Sequence, residues 1–102
     1  MPTALVTGGA VRIGRSIALH LAERGYNIAL HYSSSKEPAE QTAEELRKFN
    51  IQCKIYCVDF TNFDSISFLM DQVLVIFNSI DLIINSAFLF YTSHAPQETP
   101  VV

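Results

Sequence analysis

The apolar positions of this chain alternate between two rhythms. The run "TALVT" (3–7) is continuously apolar and stops at a Gly-Gly pair, as a strand buried on both faces should. From Ile13 the apolar residues recur at Ile17, Ala18, Leu21 and Ala22, which is helical spacing, and Gly25 follows as a left-handed cap. "YNIALHY" (26–32) predicts a second strand. "SSSKEPAEQTAEELRKF" (33–49) predicts a helix with serines at its start, acids early, bases late, and Ala39, Ala43, Leu46 and Phe49 on one face. "IQCKIYCV" (51–58) predicts a third strand. A third helix spans "SISFLMDQVLVIFNS", with Ile66, Leu69, Met70, Val73 and Phe77 in register, and "DLIINSA" (81–87) is the fourth strand. Past it, "FLFYTSHAPQETPVV" holds no regular period.

The predicted order is β-α-β-α-β-α-β with short connections. That order specifies an α/β fold: a Rossmann-type parallel sheet with right-handed crossovers and helices on both faces. Residues 1–91 are expected to form this unit and 92–102 an irregular tail. The unit is expected to be truncated after its fourth strand. One side of that strand is then open, so self-association or a partner at its edge is expected, with Leu82, Ile84 and Phe88 as uncovered apolar surface.

Composition narrows the classes. The 102 residues are 49% hydrophobic with a formal net charge of −3, which suits one small domain and argues against nucleic acid as a partner. The apolar stretch around "AFLFY" is far below the roughly 18 residues a membrane span needs. The N-terminus shows no export pattern, so a cytoplasmic location is expected. Cys53 and Cys57 sit four residues apart on one predicted strand, about 13 Å between them. That is too far for a disulfide or a shared metal, and both are expected to be buried thiols. His20 and His94 have no ligand partners at useful spacing, and no metal site is expected.

Chemistry concentrates in "TGGAVRIGRS" (7–16). A strand, a glycine turn and a helix N-terminus make an anion site: backbone N–H groups face outward, and glycine lets a pyrophosphate approach the main chain. Thr7 closes the strand, and Gly8, Gly9 and Gly14 are in place. The second strand ends in "LHYSSSK", with no acid before Glu37. A free ribose 2′-hydroxyl is usually held there by a carboxylate. Hydroxyls and N–H groups instead suit a 2′-phosphate, and the Arg12 guanidinium adds charge from the loop. The alternative reading is that Ser33, Ser34 and Ser35 cap the next helix and His31 is buried. Both can hold together.

These residues resemble one family, the short-chain dehydrogenases/reductases. "TGGAVRIG" is similar to its TGxxxGxG loop, with Arg12 in place of the middle glycine, and "NSA" (85–87) stands where the family writes Asn-Asn-Ala-Gly. The resemblance runs from Thr3 to about Tyr91. It implies cofactor contacts from Thr7, Gly8, Arg12, Ile13 and Gly14, and an adenine contact from Asp59 with Phe60 beside it. It implies further contacts from Asn85, Ser86 and Ala87. Within the family the chain looks most like pteridine reductases, which share the loop arginine, "GRSIA" and "LHY" plus serine. That likeness implies NADP(H) in preference to NAD(H), held by Arg12, His31, Tyr32 and Ser35. It also implies that Phe90 faces a pterin ring, with Phe88 adjacent to substrate.

Beyond the loop arginine, the chain departs from the family at three places. Ser86 replaces the second Asn, and Phe88 replaces a small residue. The family's Tyr-x-x-x-Lys pair lies beyond the fourth strand and is not found there; Tyr32 and Lys36 have that spacing, but at the end of the second strand, while Tyr26, Tyr56 and Tyr91 have no lysine four residues on. No catalytic residue is therefore named, and the chain alone is expected to be inactive. The expected function is the cofactor-binding part of an NADPH-dependent oxidoreductase acting on a carbonyl or pterin substrate. The alternative is a non-catalytic dinucleotide-binding module, or a truncated gene product without activity.

Overall fold

A computed structural model describes residues 1–10, 12–59 and 63–86. Its elements run β1 (Thr3–Thr7), α1 (Arg12–Glu23), β2 (Asn27–Tyr32), α2 (Lys36–Arg47), β3 (Cys53–Cys57), α3 (Phe63–Phe77) and β4 (Leu82–Asn85). All the strand pairs are parallel, and the sheet order is β3-β2-β1-β4. The chain builds outward from β1 to β3, then returns across the sheet to place β4 on the other side of β1. Strand order therefore reverses between β1 and β4, the place where open α/β sheets bind ligands beyond their strand C-termini.

Burial follows the predicted periods. Every residue of β1 is buried, as is β2 from Ile28 to Tyr32. On one face, α1 and α2 cover the sheet through Ala18, Ala22, Ala43 and Leu46, packed with Val6, Ile28, Leu30 and Ile84. On the other, α3 lays Leu69, Val73 and Phe77 against Leu5, Ala29 and Ile83. Helices thus occupy both faces. The Arg15–Glu45 ion pair joins α1 to α2. α1 ends as its sequence predicts: Gly25 has φ 90, its N–H donates to Ala22 O and the Tyr26 N–H to Leu21 O. These two bonds form a Schellman cap that only a left-handed residue allows at little cost.

Several expectations change. Phe49 lies beyond the end of α2 and is 40% exposed, while Thr42 joins Ala39, Ala43 and Leu46 on the buried face. Ile84 is not uncovered surface; it is 5% exposed, inside the α1/α2 core. Of the two thiols, Cys53 is buried and Cys57 is exposed, because β3 is the edge strand and Cys57 its last residue. Ser35 occupies the α2 N-cap position without a side-chain capping bond. The final part of the 1–91 unit and the 92–102 tail lie outside the described residues, as do Phe60, Ala87, Phe88 and Phe90. Among the described residues no helix is long and apolar enough to cross a membrane.

Candidate functional site

The loop between β1 and α1 sits at the strand-order reversal, and its shape follows from residue size. Gly8 turns the chain at φ 62, a region open to glycine and strained for other residues. Gly14, on the first turn of α1, is buried against the loop it follows. A Cβ there would stand 2.8 Å from Ser86 Oγ and 2.9 Å from Gly9 Cα, and would collide with the Gly8 carbonyl oxygen. The helix N-terminus can therefore approach the end of β1 only without a side chain at this position. Its first turn carries no acidic residue, which leaves the positive end of the helix dipole uncompensated by side-chain charge.

Both flanking strands hold the loop. Toward β4, Thr7 Oγ1 donates to Ile84 O at 3.2 Å and lies 3.1 Å from Asn85 Oδ1. Ser86 Oγ donates to Thr7 O. Toward β2, the Gly8 N–H donates to His31 Nδ1 at 3.1 Å, and the Gly9 N–H donates to His31 O at 3.0 Å. From α2, buried Thr42 donates its hydroxyl to Ala10 O at 2.9 Å. Sequence reasoning did not find Thr42; the signal was one hydroxyl on a helix face otherwise made of alanine and leucine.

Arg12 is exposed and opens α1 with φ 57. It occupies the position where the loop pattern has its middle glycine, and it keeps the backbone conformation that glycine favours. Next to it Ile13 is 60% exposed, an apolar side chain without cover beside the glycine turn. At the end of β2, Ser33 and Ser34 are exposed and Ser35 is half-buried. The structure turns His31 and Tyr32 inward instead, at 1% and 8% exposure. His31 bonds the loop, and Tyr32 packs with Ala10 and Ala39. Asp59 is exposed just past β3, directly after Val58, whose N–H donates to Tyr32 O at 3.2 Å. The Cys57 thiol lies 3.5 Å from Ser33 O in the same corner.

The geometry brings together Thr7, Gly8, Gly14, His31, Asn85 and Ser86 by direct contact, and lines Arg12, Ile13, Ser33, Ser34 and Asp59 along the C-terminal rim of the sheet. A turn with inward-facing glycines, a helix N-terminus and a cation can hold a bridging diphosphate. The hydroxyls at the end of β2 can donate to a further phosphate. A dinucleotide fits this set.

Comparison with known proteins points the same way. Residues 2–99 match the family model described as short chain dehydrogenase. The 3-oxoacyl-(acyl-carrier-protein) reductase FabG of Staphylococcus aureus is 40% identical over 85 residues, which cover 83% of this chain and 35% of that protein. A Burkholderia cenocepacia protein solved with bound NADP superposes with a TM-score of 0.79 at 32% identity, over 82% of this chain and 33% of that one. A xylitol dehydrogenase solved with bound NAD+ does so with a TM-score of 0.75 at 31% identity, over 81% and 32%. The chain spans about a third of the length of these relatives.

Proposed function

The chain belongs to the short-chain dehydrogenase family, and on that premise we propose that it forms the cofactor-binding part of an NADPH-dependent reductase. The observation that carries this is Arg12. A guanidinium stands exposed on the phosphate loop in a backbone conformation that costs an arginine energy, and such strain persists where a function holds it. Past β2 the first acid is Glu37, already within α2, so Ser33 and Ser34 offer donors to a 2′-phosphate and no carboxylate repels it. Bound there, the dinucleotide supplies a hydride. The residues of this chain would grip its phosphates, ribose and adenine.

The substrate class is a carbonyl or an imine, and the loop arginine with "GRSIA" and "LHYSSS" favours a pterin-type ring. A reducing, cytoplasmic setting suits the two free cysteines. Calorimetric titration with NADPH and NADH is the test. Loss of a charge-assisted bond is worth about 1.5 to 3 kcal/mol, so NADPH should bind at least about tenfold more tightly. Equal affinities would remove the proposal.

A further inference from the structure

The His31 ring lies between two groups that leave it no choice of protonation. On one side the Gly8 N–H, which can only donate, points at Nδ1 from 3.1 Å. On the other the Val58 carbonyl, which can only accept, lies 2.7 Å from Nε2. Both bonds form in one state only, the neutral ring with its hydrogen on Nε2. The same residue's carbonyl takes the Gly9 N–H, so His31 holds two successive loop amides. Val58 directly precedes Asp59. The ring thus ties the phosphate loop to the far end of β3, across two strands.

We infer that His31 is a positioning residue for the phosphate loop, fixing the turn at Gly8 as its neutral Nε2–H tautomer, and that dinucleotide affinity falls when the ring gains a second proton. An imidazolium would set an N–H against the Gly8 N–H, and one of them must move. Gly8 has little room to yield, because Gly14 is packed directly against its carbonyl. Burial also opposes the charge: it lowers the ring's pKa from the ordinary 6.5, partly offset by the bond to Val58. On β3 the titratable groups are Cys53, Lys54, Tyr56 and Cys57, with Asp59 after it; Arg12 lies at the start of α1, Lys36 and Glu37 at the start of α2 and Asp64 at the start of α3, while β1 and Gly8–Ala10 contribute none. A carboxylate nearby favours the charged ring but cannot supply the acceptor that Gly8 needs.

The affinity half of this inference rests on the dinucleotide reading of the loop; the tautomer half does not. Two-bond ¹H–¹⁵N correlation spectra of the labelled chain at about pH 7.5 should show the hydrogen on Nε2 and a bare Nδ1. A hydrogen on Nδ1, or a charged ring, overturns the inference. NAD+ is the ligand for the second measurement, because its phosphates do not titrate in this range. From about pH 7.5 downward the wild type should lose affinity as the ring takes up its second proton, with the loss following the ring's own titration in the spectra. His31→Gln, which keeps an amide acceptor but no titrating group, should bind within about threefold of wild type at about pH 7.5 and change by less than about twofold as the pH falls. His31→Phe should bind at least about fivefold more weakly than wild type at about pH 7.5. A glutamine variant with the wild-type pH profile, or a phenylalanine variant with wild-type affinity, overturns it. If no form binds NAD+, the dinucleotide reading falls, and the Gly8 amide resonance decides the rest. It must move as the ring titrates, and a static resonance ends the inference.

Discussion

At the scale of single residues, the two special positions of the loop make opposite demands. Arg12 keeps a left-handed backbone at a cost of about 1 kcal/mol. Arg12→Gly should therefore raise stability by up to about 1 kcal/mol in urea melts while weakening NADPH about tenfold and leaving NADH nearly unchanged. A glycine variant that keeps its NADPH affinity would leave the strained arginine without a purpose. Gly14→Ala has no such trade: its methyl meets backbone, and the expected loss is about 1 to 3 kcal/mol together with cofactor binding. His31 adds a pH dependence whose sign is fixed. Its folded pKa lies below 6.5, so the unfolded chain binds more protons just below that value. Its contribution to stability is complete above pH 6.5 and is lost as the pH falls through the folded pKa, which urea melts across that range will measure. The thiols should separate as cleanly. A disulfide reagent should label exposed Cys57 promptly, and Cys53, buried with a pKa pushed up to about 11, only as fast as the chain unfolds.

At the scale of elements, one carboxylate helps set the register between β1 and β4. Asp81 Oδ2 accepts the Thr3 N–H at 2.8 Å, and the Asp81 N–H donates to Thr3 O at the same distance. Thr3 is buried at 1% exposure. Asp81→Ala strands that donor and should cost about 1 to 3 kcal/mol, whereas Asp81→Asn, which retains an acceptor, should recover most of it in thermal melts. All seven elements were legible in the sequence, because burial on a strand and on a helix each imprint their own period. Gly8, Gly14 and Gly25 were legible too, since a backbone turn or a close approach selects glycine locally. The bonds that hold the loop were not. Ser86 to Thr7, His31 to Gly8 and Thr42 to Ala10 depend on which strand and helix ends become neighbours, and no local period encodes that. Phe49 misled for a related reason: it continues the helical spacing past Arg47, where the helix has already stopped.

At the scale of the whole molecule, surface and chain path matter most. α3 turns Phe68 and Val75 outward at 57% and 74% exposure, and β4 pairs with β1 alone among the described strands. Concentration-dependent association is expected in light scattering at micromolar chain, and Val75→Lys should reduce it. A strictly monomeric wild type would count against association through these exposed side chains. The position of β4 also orders events in time. β1 meets β2 after a loop of 24 residues, from Thr3 to Asn27, but meets β4 only across a separation of 78. The longer closure costs about 1 kcal/mol more chain entropy. The β1–β2–β3 half can therefore zip first, and the fourth strand closes the crevice as a late step of folding. Amide exchange should then release Ile83 and Ile84 before Ala29 and Leu30. Folding in that order would build the cleft last and open it first, and a ligand that fills it would act as the latch on the completed fold.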